Sequence, residues 1–505
     1  MRTNFLREHL ALVIAATLAM CVLVARACLQ SITLDEASSF LGFANTSWAA
    51  HWYPANDNHV LNSILMRLLT AVFGVNELVI RTPALIGGAI YIGAALWLCV
   101  LLSDRKLLQF ALFLCLVYNP MVMDYLVAAR GYGLAVGFLL AAIAVIGSAI
   151  LAPNEQSEAD LRKKCAWVSC LLALSFAGNF SFAIADGMTF LLFVVWVIGQ
   201  VRSGAHTRAL LAWCVLPGIA VAFVLCGWTL GNWRKGELYF GASSLGEMWT
   251  DVARASFDDI NANMAHPLLE RWGNKIGRVL PFAATLVTLL LLGIASIERR
   301  RSRSAGPDRS VRFIQLLAGV VAITLLLHWL AFHLINLPLP KGRTALFFVP
   351  LSTLIFGAAL AIRFRTTNQV ALRWLGMVTL ILMALYFVGC LRLGYFRAWK
   401  FDIDTKHLYW MLTDLNRRCG IDSFGVDWRY SVPYSFYNES YHNRPLREHE
   451  EYVTADPPDD KGAYALYLPT SEAFIKSHGL HVIYHNDETG SAVAIRGCPA
   501  NAGGK

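Results

Sequence analysis

The sequence predicts an all-α polytopic membrane bundle of about eleven transmembrane helices, followed by a small α/β domain. Hydrophobic residues make up 56% of the chain and charged residues 15%, whereas a typical soluble domain is about 25% charged. Apolar stretches of about 17–25 residues, long enough to cross the hydrocarbon core, recur along most of the chain. We therefore expect a transmembrane domain over 1–398 and a polar α/β domain over 399–505.

The predicted spans, together with the positive-inside bias of the basic loops between them, place the N-terminus inside and the C-terminus outside. They cover 9–29, 79–102, 107–123, 130–151, 165–183, 184–200, 209–229, 277–297, 313–335, 344–362 and 374–394. The apolar stretch 59–75 is short and contains Asn62, Arg67 and Thr70. We interpret it as an amphipathic helix in the outer interface, because a crossing there would move the basic loops outside, against the positive-inside bias.

The net charge of +9 comes largely from short basic blocks between apolar runs. These blocks are Arg105–Lys106, Arg162–Lys164, Arg299–Arg303 and Arg363–Arg365. Cytoplasmic loops of membrane proteins are enriched in Lys and Arg. The charge therefore indicates topology and a membrane-lipid environment, and it excludes nucleic acid as the expected partner.

Three extracytoplasmic segments follow from this topology: the loops 30–78 and 230–276, and the C-terminal domain. In that domain the apolar spacing over 404–418 predicts a helix that stops at Gly420. Strands are predicted at 463–468, 481–485 and 491–495. Cys419 and Cys498 lie in this polar region and can form a disulfide if the domain is outside the cytoplasm.

Two adjacent acids, Asp35 and Glu36, follow the first span directly. Acidic residues favour the first turn of a helix, so the pair is compatible with a solvated helix start. A carboxylate at this depth is also suited to act as a general base toward a hydroxyl group. The residues alone leave both interpretations open.

Several cations stand at the outer ends of spans, where the inside bias should deplete them. They are Arg81, Arg130, Lys341 and Arg343, with His59 at the same depth. A single such residue is explained by a side chain that reaches a lipid headgroup. Several from separate helices predict an anion site, for which a phosphate is the natural ligand.

The motifs at these positions resemble one family. The chain reads Leu-Asp-Glu-Ala at 34–37, Asn-His-Val-Leu at 58–61, LLTAVFGVNELVIRTP at 68–83 and DYLVAARGY at 124–132, with Leu-Pro-Lys-Gly-Arg at 339–343. Their order resembles that of GT-C glycosyltransferases of the protein-mannosyltransferase and aminoarabinose-transferase type, as far as about residue 362. Val60 and Leu61 depart from the pattern, since the family often has a proline pair there.

The resemblance implies a sugar donor carried on polyprenyl phosphate and an extracytoplasmic lipid, glycan or protein acceptor, in a bacterial inner membrane. Asp35 would be the catalytic base of an inverting transfer, Glu36 would assist it or bind sugar or metal, and Asp124 would be a second acid. The donor phosphate would be bound by His59, Arg81, Arg130, Tyr132, Lys341 and Arg343. A divalent metal ion is the one cofactor left open, because Asp35 and Glu36 offer oxygen ligands without a complete ligand set.

Three other classes compete with this interpretation. A glycolipid transporter or flippase should show internal repeats and polar residues at mid-membrane, and the sequence shows no repeat. An O-antigen-ligase-like transferase would not need the early Asp-Glu pair. A non-catalytic scaffold would use the C-terminal domain to bind a partner.

Overall fold

The computed structural model describes 2–151, 157–200, 204–233, 240–257, 260–261, 266–301, 309–362, 367–441, 449–452 and 460–498. The predicted basic residues Arg303 and Arg363–Arg365, and parts of the predicted 230–276 loop, lie outside these residues.

Helices dominate the chain up to residue 389. They are α1 Arg2–Glu8, α2 Leu10–Leu29, α3 Leu34–Ser39, α4 Val60–Phe73, α5 Glu77–Leu102, α6 Lys106–Val117, α7 Pro120–Tyr125, α8 Tyr132–Leu151, α9 Glu158–Gly178, α10 Ala183–Gln200, α11 Gly204–Gly231, α12 Leu245–Ser256, α13 Pro267–Arg301, α14 Arg309–Ile335, α15 Phe348–Ala361 and α16 Thr367–Gly389. Nine helices in the described part of the chain are long and apolar enough to cross a membrane. The chain is thus a multi-pass membrane protein.

Two predicted spans are helical but are not among these nine. The span predicted at 107–123 is interrupted, since α6 ends at Val117 and α7 begins at Pro120. The side chain of Asn119 causes the break by accepting the N–H groups of Met121 and Val122 at 3.0 and 3.3 Å. The span predicted at 165–183 corresponds to α9, whose first two turns are charged.

Helix α4 has 14 residues, about 21 Å at 1.5 Å per residue, and is shorter than a hydrocarbon core of about 30 Å.

The structure divides into two compact units. The first comprises 1–24, 52–62 and 83–392, and holds most of the membrane helices. Helices α5 and α8 pack closely in it, because a Cβ atom on Gly87 would lie 2.4 Å from the carbonyl carbon of Gly133. A Cβ atom on Gly137 would lie 2.3 Å from the Gly87 oxygen. Small residues bring backbones together in this way where lipid provides no hydrophobic drive.

The second unit comprises 25–51, 63–82 and 393–505, so it joins the C-terminal domain to two stretches that we predicted in the transmembrane domain. Its C-terminal part contains helices α17 Thr405–Cys419, α18 Trp428–Tyr441 and α19 Leu468–Ser477, and strands β1 Phe424–Asp427, β2 His449–Tyr452, β3 Ala463–Tyr467, β4 His481–His485 and β5 Ser491–Ile495. The strand order is β2-β1-β3-β5-β4, with β1 parallel to β2 and β3, and β5 antiparallel to β3 and β4. The predicted helix and three strands are present.

Helix α17 ends where the sequence predicts. Gly420 adopts a φ of +66°, a left-handed conformation that glycine reaches without the steric penalty of a Cβ atom. The preceding residue, Cys419, forms a disulfide with Cys498, and their Cα atoms are 4.9 Å apart. The disulfide therefore ties the end of α17 to the segment after β5.

We predict that Cys419→Ser lowers the unfolding temperature of the protein under oxidising conditions. The disulfide closes a loop of 79 residues, for which the chain-entropy estimate is about 4–5 kcal/mol. Thermal unfolding in nanodiscs measures the change, with the exposed free cysteine variant Cys28→Ser as the control. Equal unfolding temperatures for the two variants would contradict the prediction.

Candidate functional site

The short helix α3, which carries Asp35, lies in the second unit and is capped at its N-terminus by Thr33. The Thr33 hydroxyl accepts the N–H of Glu36 at 3.2 Å, and the Glu36 carboxylate accepts the N–H of Thr33 at 3.0 Å. This reciprocal capping box satisfies two of the backbone donors that a helix start leaves unpaired. Asp35 itself is half-buried.

Arg81 binds this turn with its whole guanidinium group. Its Nε and Nη2 donate to the two carboxylate oxygens of Glu36 at 2.9 and 2.7 Å, and both side chains are fully buried. Nη1 donates to the carbonyls of Ala27 and Gln30 at 3.1 and 2.8 Å, and Nη2 donates to that of Ser31 at 2.8 Å. These bonds use all five N–H donors of an arginine.

Arg81 and Glu36 bind each other in the interior. This differs from their predicted roles, in which Arg81 binds the donor phosphate and Glu36 assists Asp35 or binds sugar or metal. A phosphate would find no remaining donor on Arg81, and neither side chain has surface exposed to a sugar. Glu36 is equally unsuited to share a metal ion with Asp35, since its carboxylate is paired with the guanidinium. In the described part of the chain, no cluster of three or more His, Cys, Asp or Glu could hold a metal.

Among the predicted cations in the first unit, Arg130 is the most deeply buried. Its Nη2 lies 3.1 Å from Asp57 Oδ1, and the exposed fractions of the two side chains are 2% and 45%. Gly131 follows with a φ of +72°, and a Cβ atom there would lie 2.3 Å from the carbonyl oxygen of Gly178 and 2.7 Å from the Cβ of His59. Glycine is therefore required for the close approach of this loop to His59.

His59 lies against the same loop. Its ring is 5.3 Å from that of Tyr132 in an edge-to-face contact, and its buried Nε2 has no hydrogen-bond partner within the described ranges. Burial, followed by the charges of Arg130 and Arg343, holds the pKa of His59 well below its usual value. His59 is consequently neutral at pH 7.

Lys341 and Arg343 belong to the same unit. The Lys341 Nζ lies 2.6 Å from Glu247 Oε1, and both side chains are about one-third exposed. The hydrogen bond from Lys341, and those from the backbone and hydroxyl of Ser243, lower the pKa of Glu247 to about 2. The guanidinium of Arg343 lies 5.1 Å above the ring of Phe240. Arg130 and Arg343 thus act electrostatically on the neutral His59, and Tyr132 contacts its ring. We call these four residues the cation cluster, after its two arginines.

Asp124, the predicted second acid, lies on α7 in this unit and is 4% exposed. An apolar cavity of about 400 Å³ lies in the same unit. Helices α12 to α16 form its walls, with Trp249, Leu289, Leu325 and Phe356 among the lining side chains. Phe348 and Val349, a few residues after Arg343, also line it.

Sequence reasoning missed two residues beside Asp35. The N–H of Leu34 donates to Asp402 Oδ2 at 2.9 Å, and the N–H of Ile32 donates to the hydroxyl of Tyr437 at 2.9 Å. The partners are 368 and 405 positions apart along the chain. The available signal was the position of Asp402 between Phe401 and Ile403, just before a predicted helix.

Comparisons with known proteins are informative for the fold. No protein-family model and no curated protein match the sequence. Among solved structures, ArnT from Cupriavidus metallidurans bound to undecaprenyl phosphate aligns with a TM-score of 0.50 and 14% identity, covering 98% of both chains. The apo structure of the same protein aligns with a TM-score of 0.40 and 11% identity, again over 98% of both chains.

The first likeness confirms the predicted fold class, a polytopic all-α membrane protein with a small C-terminal sheet. The particular structure that it resembles is ArnT bound to undecaprenyl phosphate. Because the sequence identity is 14%, this likeness is evidence for the fold alone.

We predict that Arg81→Met strongly destabilises the protein, because it leaves the Glu36 charge buried and unpaired. Removal of one partner of a buried ion pair costs about 3–5 kcal/mol. Thermal unfolding in nanodiscs measures the loss, and Arg81→Met combined with Glu36→Met should recover part of it. Lys341→Met, which breaks a partly exposed pair, is the control; an equal loss in that variant would contradict the prediction.

We also predict that His59→Gln reduces the acid sensitivity of the protein. The folded-state pKa of His59 is lowered, so the unfolded chain binds more protons and the free energy of unfolding decreases as pH falls below about 6.5. Glutamine does not bind a proton in this pH range, so the variant lacks this decrease in the free energy of unfolding. Unfolding temperatures between pH 7.5 and 5.0 test this, with the exposed His485 changed to Gln as the control. The prediction fails if both variants lose stability in parallel with the native protein.

Proposed function

We propose that this protein is an inverting glycosyltransferase that moves a sugar from a polyprenyl-phosphate donor to an extracytoplasmic acceptor. The observation that carries the proposal is the likeness, over 98% of both chains, to ArnT in complex with undecaprenyl phosphate. The motif order in the sequence supports the same class independently, because it rests on residue types and not on backbone shape. The bacterial inner membrane, with the N-terminus inside and the C-terminal domain in the periplasm, is the proposed location.

Asp35 is the proposed general base. It takes the proton of an acceptor hydroxyl while the hydroxyl oxygen attacks the anomeric carbon of the donor sugar. The bond from that carbon to the phosphate oxygen breaks, and polyprenyl phosphate leaves with the bonding electron pair. Support comes from the contrast with Glu36, which is fully buried against Arg81, whereas Asp35 keeps part of its surface. Asp124 is retained as a proposed second acid.

The donor phosphate is proposed to bind the cation cluster together with Lys341. Negative charge grows on the phosphate as the glycosidic bond breaks, and cations fixed in a partly dry site stabilise it most effectively. Arg130 is 1% exposed as a residue and His59 is 4% exposed, so the surroundings are poorly hydrated. A neutral His59 contributes a hydrogen bond through Nε2, whose partner is absent from the described residues.

The apolar cavity supports a lipid-linked donor. Its lining is almost entirely hydrophobic, with Asn119, Ser256, Ser352 and a few threonines as the polar exceptions. A prenyl chain matches such a lining, whereas a free sugar nucleotide would leave its polar groups unpaired. The acceptor class, whether lipid, glycan or protein hydroxyl, is left open by this cavity.

The decisive experiment compares sugar transfer by the native protein and by Asp35→Asn. Membranes that carry each protein at equal levels are supplied with a radiolabelled sugar, and label is followed from the polyprenyl-phosphate pool into the acceptor. We expect transfer to fall by about 10²- to 10⁴-fold, the range for loss of a general base, with labelled donor accumulating.

Asp414→Asn is the matched control, because this carboxylate is exposed and pairs with Arg418 on the same helix. It should transfer at the native rate. Undiminished transfer by Asp35→Asn would remove the catalytic assignment and favour a ligase-like transferase, which does not need the early acid. Loss of labelled donor from the outer leaflet would instead favour a flippase.

A further inference from the structure

Two side chains from the C-terminal part of the second unit hold the backbone directly ahead of Asp35. Asp402 accepts the N–H of Leu34 at 2.9 Å, and Tyr437 accepts the N–H of Ile32 at 2.9 Å. Asp402 is 1% exposed and Tyr437 is fully buried. These bonds act on alternate residues, so they constrain the direction of the chain as it enters the turn.

A second layer of contacts supports the same segment. The hydroxyl of Ser31 donates to the carbonyl of Ile403 at 2.6 Å, and the N–H of Lys406 donates to the Ser31 hydroxyl at 3.4 Å. The rings of Phe40 and Phe436 meet edge to face at 5.7 Å. Residues 31–40 are thus attached to the region 402–437 at several points.

The chemistry of Asp402 is unusual for a purely structural residue. Its second oxygen accepts the hydroxyl of Thr405 at 3.3 Å, and in the described part of the chain no cation pairs with it. Burial raises the pKa of Asp402, as do the charges of Asp35 and Glu36, against the effect of its hydrogen bonds. A buried carboxyl without a counter-ion is costly, and here it faces the turn with Asp35.

We infer that Asp402 and Tyr437 are positioning residues that set the location of Asp35 through the N–H groups of Leu34 and Ile32. This assigns the C-terminal domain a part in the reaction, since it supplies the acceptors that orient the base. The inference rests on the proposed role of Asp35. It deepens that role, because a base must lie within hydrogen-bond reach of the proton that it removes.

The energetic reason is the sensitivity of catalysis to geometry. A misplacement of about 1 Å at a reacting group can reduce the rate about 10²-fold. The segment that carries Asp35 is a six-residue α-helix that continues as a π-helix over Phe40–Ala44, and Arg81 holds it through Glu36. The bonds from Leu34 to Asp402 and from Ile32 to Tyr437 add the contacts directly ahead of Asp35, so they fix the direction in which the chain enters the turn.

Steady-state transfer kinetics of the full chain in nanodiscs test the inference, with polyprenyl-phosphate sugars extracted from the same membranes as donor. Asp402→Ala should lower kcat by about 10- to 100-fold with little change in the KM for the donor. Asp402→Asn keeps an oxygen acceptor for the Leu34 N–H and should recover to within a few-fold of native kcat. Tyr437→Phe, which loses the acceptor for Ile32, should also lower kcat selectively.

Asp404→Ala is the matched control. Asp404 lies in the same segment and is also buried, but its carboxylate accepts hydrogen bonds from Asn486, Thr489 and Ser491. Its removal should lower the unfolding temperature without a selective loss of kcat. A general packing defect would instead reduce kcat to the same extent in Asp402→Ala and in Asp404→Ala.

Three results would overturn the inference. They are native kcat in Asp402→Ala, equal loss in Asp402→Asn and Asp402→Ala, and an equal kcat loss in Asp404→Ala. Asp35→Asn is measured in the same series. If that variant is inactive while Asp402→Ala is fully active, the positioning role fails and the proposed function stands; if Asp35→Asn is active, the proposed function fails as well.

Discussion

The guanidinium of Arg81 is the interaction on which the second unit most depends. It joins the end of α2, the start of α3 and the start of α5 through five hydrogen bonds. The ring of Phe396 lies 5.2 Å from it and 5.3 Å from the guanidinium of Arg26. Because an unpaired buried charge costs several kcal/mol, these segments cannot separate without a large penalty, and the turn that carries Asp35 is held in place.

The adjacent acids Asp35 and Glu36 differ in their contacts and in their exposure to solvent. Glu36 caps the helix, binds Arg81 and has no exposed surface. Asp35, one position earlier, points to a different side of the same turn and keeps part of its exposure. Successive residues of a helix face directions about 100° apart, so one turn can present one carboxylate to the interior and the next to a substrate. Arg81 therefore keeps Glu36 in the interior and leaves Asp35 as the acid of the two with some exposed surface.

Hydropathy predicted the membrane helices well, because a lipid-crossing segment is defined by local composition and length. It failed at Asn119-Pro120, where a side chain caps a new helix inside an apolar run. Strands β1 and β2 escaped prediction, since each has only four residues and β1 is buried throughout without alternation. The role of Arg81 was unpredictable for another reason. Its partner Glu36 is 45 positions away, and the position of an arginine at a helix end does not reveal whether it binds a substrate phosphate or a carboxylate of the same chain.

The ion pairs of Arg81 and Arg130 differ in how accessible the carboxylate is. Glu36 is fully buried against Arg81, so exchange for a phosphate would require the carboxylate to be moved within a dry interior. Asp57 is 45% exposed beside Arg130, so its carboxylate can turn to solvent when another anion takes its place beside the buried guanidinium. Arg130 is itself nearly inaccessible to bulk water, so a phosphate that replaced Asp57 would meet a strong field. Of these two pairs, the one with Arg130 therefore fits the proposed phosphate site, whereas the one with Arg81 is structural.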